Sequence, residues 1–290
     1  MSGVISEQVL AVVAVVTIFV LMFDLGLGIA LRQFRWVWQR PGLISRALFC
    51  VLIAVPALAV LVARTFELAR PVQIGIVLMA ISPGAPVALR RSLAAGGHHS
   101  FAPALQILLA LLAVVSMPLS IALLNEVYAG RASIAPGDVA KQVFVAQLLP
   151  LGFGIAFRNA LPALTSRLAP YVTRVATLML IAFVTLAIVD IWQPVIEAGS
   201  RIVLAIVTIT WLALALGHLL GGPHEATRTA VAISSAARNA GLALLVATLN
   251  AASPEIGATV LAYLLISAIA IVPYAMWRRR VRPVTGINEP

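Results

Sequence analysis

The chain has 290 residues, 62% of them hydrophobic and 10% charged, with a mean hydropathy of +1.06. A soluble domain carries about a quarter charged residues, so a water-soluble enzyme is excluded. So is a soluble core with one attached anchor, because the apolar segments run end to end. The net charge of +10 lies between apolar runs, which reads as orientation in a bilayer rather than nucleic-acid binding.

About 20 apolar residues make one crossing, and the chain holds nine such segments: 7–31, 43–64, 72–95, 99–125, 138–157, 169–191, 200–221, 226–250 and 255–277. They are too long for barrel strands and do not alternate apolar with polar. The expected fold class is an all-α polytopic membrane protein. Span 1 carries Asp24, the one intramembrane carboxylate placed to carry a proton or to pair with an arginine. Span 2 holds Pro56 and the single cysteine, Cys50. One cysteine builds neither a disulfide framework nor a Cys-based metal site. Span 3 is interrupted by "SPGAP", residues 82–86, and then carries Arg90 and Arg91. Proline removes a donor and clashes with the preceding turn. Lipid cannot satisfy the freed carbonyl, so the break has to face protein or a watery cavity.

Arg90 and Arg91 lie seven and eight residues beyond Pro83, roughly 11–12 Å along the helix at 1.5 Å per residue. They can snorkel to the interface, but adjacent helical residues point about 100° apart. One of the pair is therefore expected to face a vestibule. His98 and His99 read as a polar turn opening span 4, and Gln106 within that span needs a buried partner. Span 6 has Asp190 near one end. Span 8 packs "ISSAARNAG", residues 233–241, into the bilayer centre. There Asn239 and Gly241 are expected to allow irregular backbone and Arg238 is a buried charge. His218 and His224 flank a Gly-Gly-Pro turn. Trp36, Trp38, Trp192, Trp211 and Trp277 read largely as an interfacial belt.

Charge asymmetry orients the spans. Alternate connections hold Arg32, Arg35, Arg40, Arg46, Arg158, Arg167, Arg174 and Arg228, and the tail adds Arg278, Arg279, Arg280 and Arg282. The opposite side holds Arg64, Arg70, Arg131, Lys141 and Arg201. An excess of Lys and Arg marks the cytoplasmic face, which puts the N-terminus outside and the C-terminus inside. The use of 19 arginines and one lysine points to a GC-rich genome and a bacterial inner membrane, and the opening residues lack a basic signal-peptide start.

The two interrupted spans are the third and the eighth, an odd offset, so they cross in opposite directions. Paired broken helices in inverted repeats, with a substrate site where they meet, are a plan of secondary transporters.

The stretches "LMFDLGLGIALRQFRWVWQRPG" (21–42), "SPGAPVALRRSLAAGG" (82–97), "SMPLSIALL" (116–124) and "AARNAGLALLVATL" (236–249) resemble the bile acid:sodium symporter family. The resemblance covers spans 1 to 4 and span 8 in register. It implies a core domain with two unwound crossing helices beside a panel domain. A first repeat over residues 1–125 would lack its leading helix, a second would run over 126–277, and 278–290 would form a basic cytoplasmic tail. Sodium sites in that family use hydroxyls, amides and one glutamate, the oxygen ligands that a hard cation requires. At the matching positions this chain has Ala88 and Leu89 for a Ser-Asn pair, Ser234 for the glutamate and Arg238 for a glutamine. Val51 stands where the family has a glutamine in span 2, and Gln106, Leu109 and Ala110 stand at the Ser/Thr positions of span 4. Pro83, Gly84, Ser92, Gly97, Pro118 and Asn239 survive.

The expected function is secondary transport of a small organic anion, carboxylate or sulfonate, by alternating access. Arg238, Asn239, Ser234, Ser235, Gly84, Ala85, Pro86, Arg90, Arg91 and Gln106 are the substrate-binding candidates, and Arg238 and Asp24 the coupling candidates. No metal or cofactor is expected: a fixed guanidinium repels sodium, while a proton stays open as coupling ion. Two further readings stay open, a sodium symporter with altered ion sites and a membrane sensor derived from the same fold. No catalytic motif of an enzyme is present, and oligomeric state is not legible.

Overall fold

The computed structural model describes residues 7–29, 39–127, 135–197, 199–250 and 253–281. Arg32, Arg35, Trp36, Trp38, Arg131 and Arg282, with the side chains of Asp190 and Trp192, lie outside the described residues. Everything described is helix or connection. Among the described residues nine helical passes follow one another: α1 (Glu7–Gly28), α2 (Pro41–Thr65), α3 and α4 (Arg70–Ala80 and Pro86–Ala94) as one interrupted pass, α5 (Phe101–Val127), α6 (Pro136–Ala160), α7 (Pro162–Glu197), α8 (Gly199–Leu220), α9 and α10 (Glu225–Ala236 and Ala240–Leu249) as the second interrupted pass, and α11 (Pro254–Arg280). Seven of these segments are long and apolar enough to cross a membrane unaided. The chain is an all-α polytopic membrane protein.

Prolines set most helix starts. Pro41, Pro71, Pro86, Pro136, Pro162 and Pro254 all sit in the first two positions of a helix, where the missing N–H costs nothing. Pro162 also corrects an expectation. "RNALPALTSR" reads as a loop, yet α6 ends at Ala160 and α7 starts at Pro162. The turn-forming residues are absorbed as the first turns of a 36-residue helix.

Two passes carry a widened turn. Cys50–Ala54 in α2 and Phe144–Leu148 in α6 are π-helical, and a proline follows each, Pro56 and Pro150. The proline ring collides with the carbonyl four residues earlier. Widening by one residue relieves the collision, so Val55 N–H reaches back to Cys50 O and Leu149 N–H to Phe144 O. In that register the next carbonyls, Val51 O and Val145 O, would be served by the prolines, which have no N–H to give. Such π-bulges occur often at functional sites.

The helices pack as two groups. α1, α6 and α7 lie on one another, and the rest gather around the α9/α10 pass, with α8 against α9, α11 against α3 and α4 against α9; the groups touch where α6 packs on α5, α1 on α10 and α7 on α11. Small residues allow the closest approaches, as is usual where lipid supplies no hydrophobic drive between helices. Gly26 of α1 meets Gly154 of α6 backbone to backbone, and a Cβ on either would fall on the other helix's main chain. Gly217 and Gly221 do the same for α8 against Ala232 and Arg228 of α9. The α9/α10 pass is enclosed on every side, whereas α7 is the most peripheral of the long helices.

Candidate functional site

The two interruptions meet at the centre of the molecule. α3 ends at Ala80 and α4 begins at Pro86; α9 ends at Ala236 and α10 begins at Ala240. The Asn239 N–H donates to Ser82 O at 3.0 Å, joining the two breaks directly. The second break is narrower than the sequence implies. Only residues 237–239 are unwound, and Gly241, expected to be irregular, is helical. Its bare Cα instead admits Ile18 of α1, whose side chain occupies the place of a Cβ.

Side chains from two further passes, α5 and α6, fasten the crossing. Asn239 caps α10 by accepting from Leu242 N–H at 3.2 Å, and its amide donates to Gln147 Oε1 at 3.2 Å. Gln147 lies in the π turn of α6 and donates to Ala110 O of α5, also at 3.2 Å. Gln106 of α5 donates to Ala85 O at 2.7 Å, while its Oε1 is buried with no partner among the described residues. Gly84 takes φ +79°, the left-handed region; a Cβ there would stand 3.1 Å from Gln147 Nε2 and 3.4 Å from Ala110. A glycine is needed on both counts. Residues 82–86 are all buried, so the peptide groups of Gly84, Ala85 and Pro86 sit inside the network rather than on an open wall.

Arg238 is 4% exposed. Its Nη1 donates to Val51 O at 2.9 Å, the carbonyl that the π turn and Pro56 leave without a backbone donor. Nε and Nη2 are buried and have no hydrogen-bond partner among the described residues. Ser235 Oγ and Cys50 Sγ are 3.3 Å apart beside it, and Ser234 is buried one turn earlier. The free Nε–Nη2 edge is the side of a guanidinium that grips a carboxylate with two parallel hydrogen bonds. The N-termini of α4 and α10 also converge here, which adds positive potential.

Asp24 was a candidate partner for Arg238. It pairs instead with Arg90, as an ion pair through Arg90 Nη2. Thr173 Oγ1 donates to the same carboxylate, and Arg90 Nη1 donates to Thr177 Oγ1 at 2.8 Å. Arg90 is therefore held by side chains of α1 and α7. Arg91 is half-buried and makes no hydrogen bond or ion pair among the described residues. His98 ends the turn before α5, its Nδ1 accepting from Ser100 and Phe101 N–H at 3.2 Å, and His99 is exposed.

The roles of four contributors escaped the sequence reading. Val51 acts through its carbonyl, which no side-chain pattern reports. Thr173 and Thr177 look like ordinary small polar residues of a membrane helix. Gln147 did leave a signal, a lone amide three residues before a proline in "FVAQLLPLG".

A family model described as the sodium bile acid symporter family matches residues 15–198. The chain belongs to that family, a family of transporters. The match ends before α9 and α10, so it covers the first broken pass and not the second. A comparison with curated proteins found no match.

Proposed function

We propose that this protein is a secondary transporter of small organic anions that works by alternating access around the crossing and does not depend on sodium. The carrying observation is the fully buried Arg238 with two unpartnered donors where two broken helices meet. A guanidinium keeps its proton under ordinary conditions and repels a sodium ion at close range. Its bond to Val51 O ties α2 to the crossing, the bridging work a bound cation performs by accepting carbonyl lone pairs. The Nε–Nη2 edge then receives the substrate's carboxylate or sulfonate, with Asn239 and Ser234 nearby. That edge is closed to solvent here, so the anion reaches it in another conformation of the cycle, with the cytoplasmic face on the side of the basic tail.

The test is counterflow in proteoliposomes, with radiolabelled taurocholate and pyruvate as probes in sodium-free buffer. Saturable counterflow of at least one probe is expected in the wild type, with loss in Arg238→Gln and partial retention in Arg238→Lys. Counterflow of neither probe, or full activity in both variants, overturns the reading.

A further inference from the structure

Asp24 and Arg90 form the one ion pair that the described residues place between the two helix groups: Asp24 belongs to α1, and Arg90 to α4 of the first broken pass. The two partners are not equally enclosed. The Asp24 side chain is 9% exposed and that of Arg90 37%. The guanidinium thus has an open flank, while its carboxylate partner closes the inner side. Nη1 and Nη2 are engaged with Thr177 and Asp24, and Nε makes no hydrogen bond among the described residues. Arg91 follows directly, half-buried and with no partner among the described residues. Besides the pair itself and Arg91, the charged residues on the elements packed around Asp24 are Glu7 of α1, Asp138, Lys141 and Arg158 of α6, and Arg167, Arg174, Asp190 and Glu197 of α7; Arg158 donates to Leu27 O at 2.6 Å. Two guanidiniums against one carboxylate leave α4 with one positive charge to spare.

As glue alone this pair is a poor choice. Half-buried ions lose hydration, and apolar residues of similar size often hold helices together as well. The pair also lies on a boundary that alternating access has to shear. The Thr173 and Thr177 hydroxyls complete a socket in which one anion sits against Arg90, and that anion is a side chain of the protein itself.

We propose that Arg90 is a second binding residue for the anionic group of the substrate, and that Asp24 occupies it as an internal surrogate when no substrate is bound. This rests on the transport reading above. An organic anion arriving at the open flank, drawn by the spare charge of Arg91, displaces Asp24 from Arg90. The exchange of partners frees α4 from α1 and α7, so substrate binding and release of the first broken pass become one event. An ion without a carboxylate-like group cannot make the exchange, which gives selectivity for anions over neutral solutes of the same shape.

The experiment measures KM for taurocholate and pyruvate counterflow, and melting temperature in detergent, for Asp24→Asn, Asp24→Glu, Arg90→Gln and the swap Asp24→Arg with Arg90→Asp. Removing the competitor lowers KM in Asp24→Asn, and removing the site raises it in Arg90→Gln, each by roughly tenfold as expected for one charge-assisted hydrogen bond. Asp24→Glu keeps the wild-type KM. The swap restores the melting temperature but not anion affinity. If Asp24→Asn leaves KM unchanged or raises it while wild-type counterflow is normal, the exchange is refuted and the transport reading stands. If the wild type carries out no counterflow, both fall together.

Discussion

Arg238 is the residue on which the site turns, and its energetics pull in two directions. A buried guanidinium with one hydrogen bond and two idle donors costs stability, because desolvation of a charge outweighs a single contact. Such a cost is borne where function needs the group. Arg238→Gln is therefore expected to raise the melting temperature of the substrate-free protein. The same variant loses the stabilisation that an added organic anion confers on the wild type. Differential scanning fluorimetry with and without taurocholate reads both effects, and a lower substrate-free melting point would show that the charge is structural. The sequence made this residue conspicuous, because a charge inside an apolar segment stands out from its neighbours. It left the partner hidden. Val51 O becomes available through a backbone register shift, and a backbone carbonyl has no letter of its own. Asp24 was legible as a residue needing an arginine, but which of three arginines it takes depends on how α1 lies against α4.

At the scale of the element, the π turns before Pro56 and Pro150 decide where polar groups point. Pro56→Ala supplies the missing N–H, so α2 can close on itself and compete with Arg238 for Val51 O. Slower amide exchange in residues 50–56 and weaker anion affinity are the expected pair of outcomes by hydrogen-exchange mass spectrometry and thermal shift. Faster exchange there would contradict the proposed role of the turn. The Gly26–Gly154 contact binds α1 to α6 through bare backbone. Gly154→Val has no room without separating the helices, and overpacking of this kind costs about 1–3 kcal/mol or more. Loss of the monodisperse peak in size-exclusion chromatography is the expected result. Element positions were readable from apolar length and proline placement, since both act locally. The start of α7 was not, because "ALPALTSR" has the composition of a loop. A proline in the first turn with helix-tolerant residues behind it is equally good at starting a helix.

On the scale of the whole molecule, two groups of helices meet along a boundary tied by Asp24 and Arg90, and the buried α9/α10 pass runs through the larger group. The family relationship covers the first broken pass. The second holds the fixed positive charge of Arg238, on which the proposed function rests. The consequence concerns the energy source. On the proposed reading, the fixed charge of Arg238 leaves no use for sodium at the crossing. The decisive measurement is the initial rate of organic-anion counterflow in proteoliposomes as every sodium ion is replaced by N-methylglucamine. The rate is expected to stay unchanged across the whole replacement, whereas a collapse of the rate in sodium-free buffer, restored by sodium addition, would contradict the assignment of Arg238 as the resident cation.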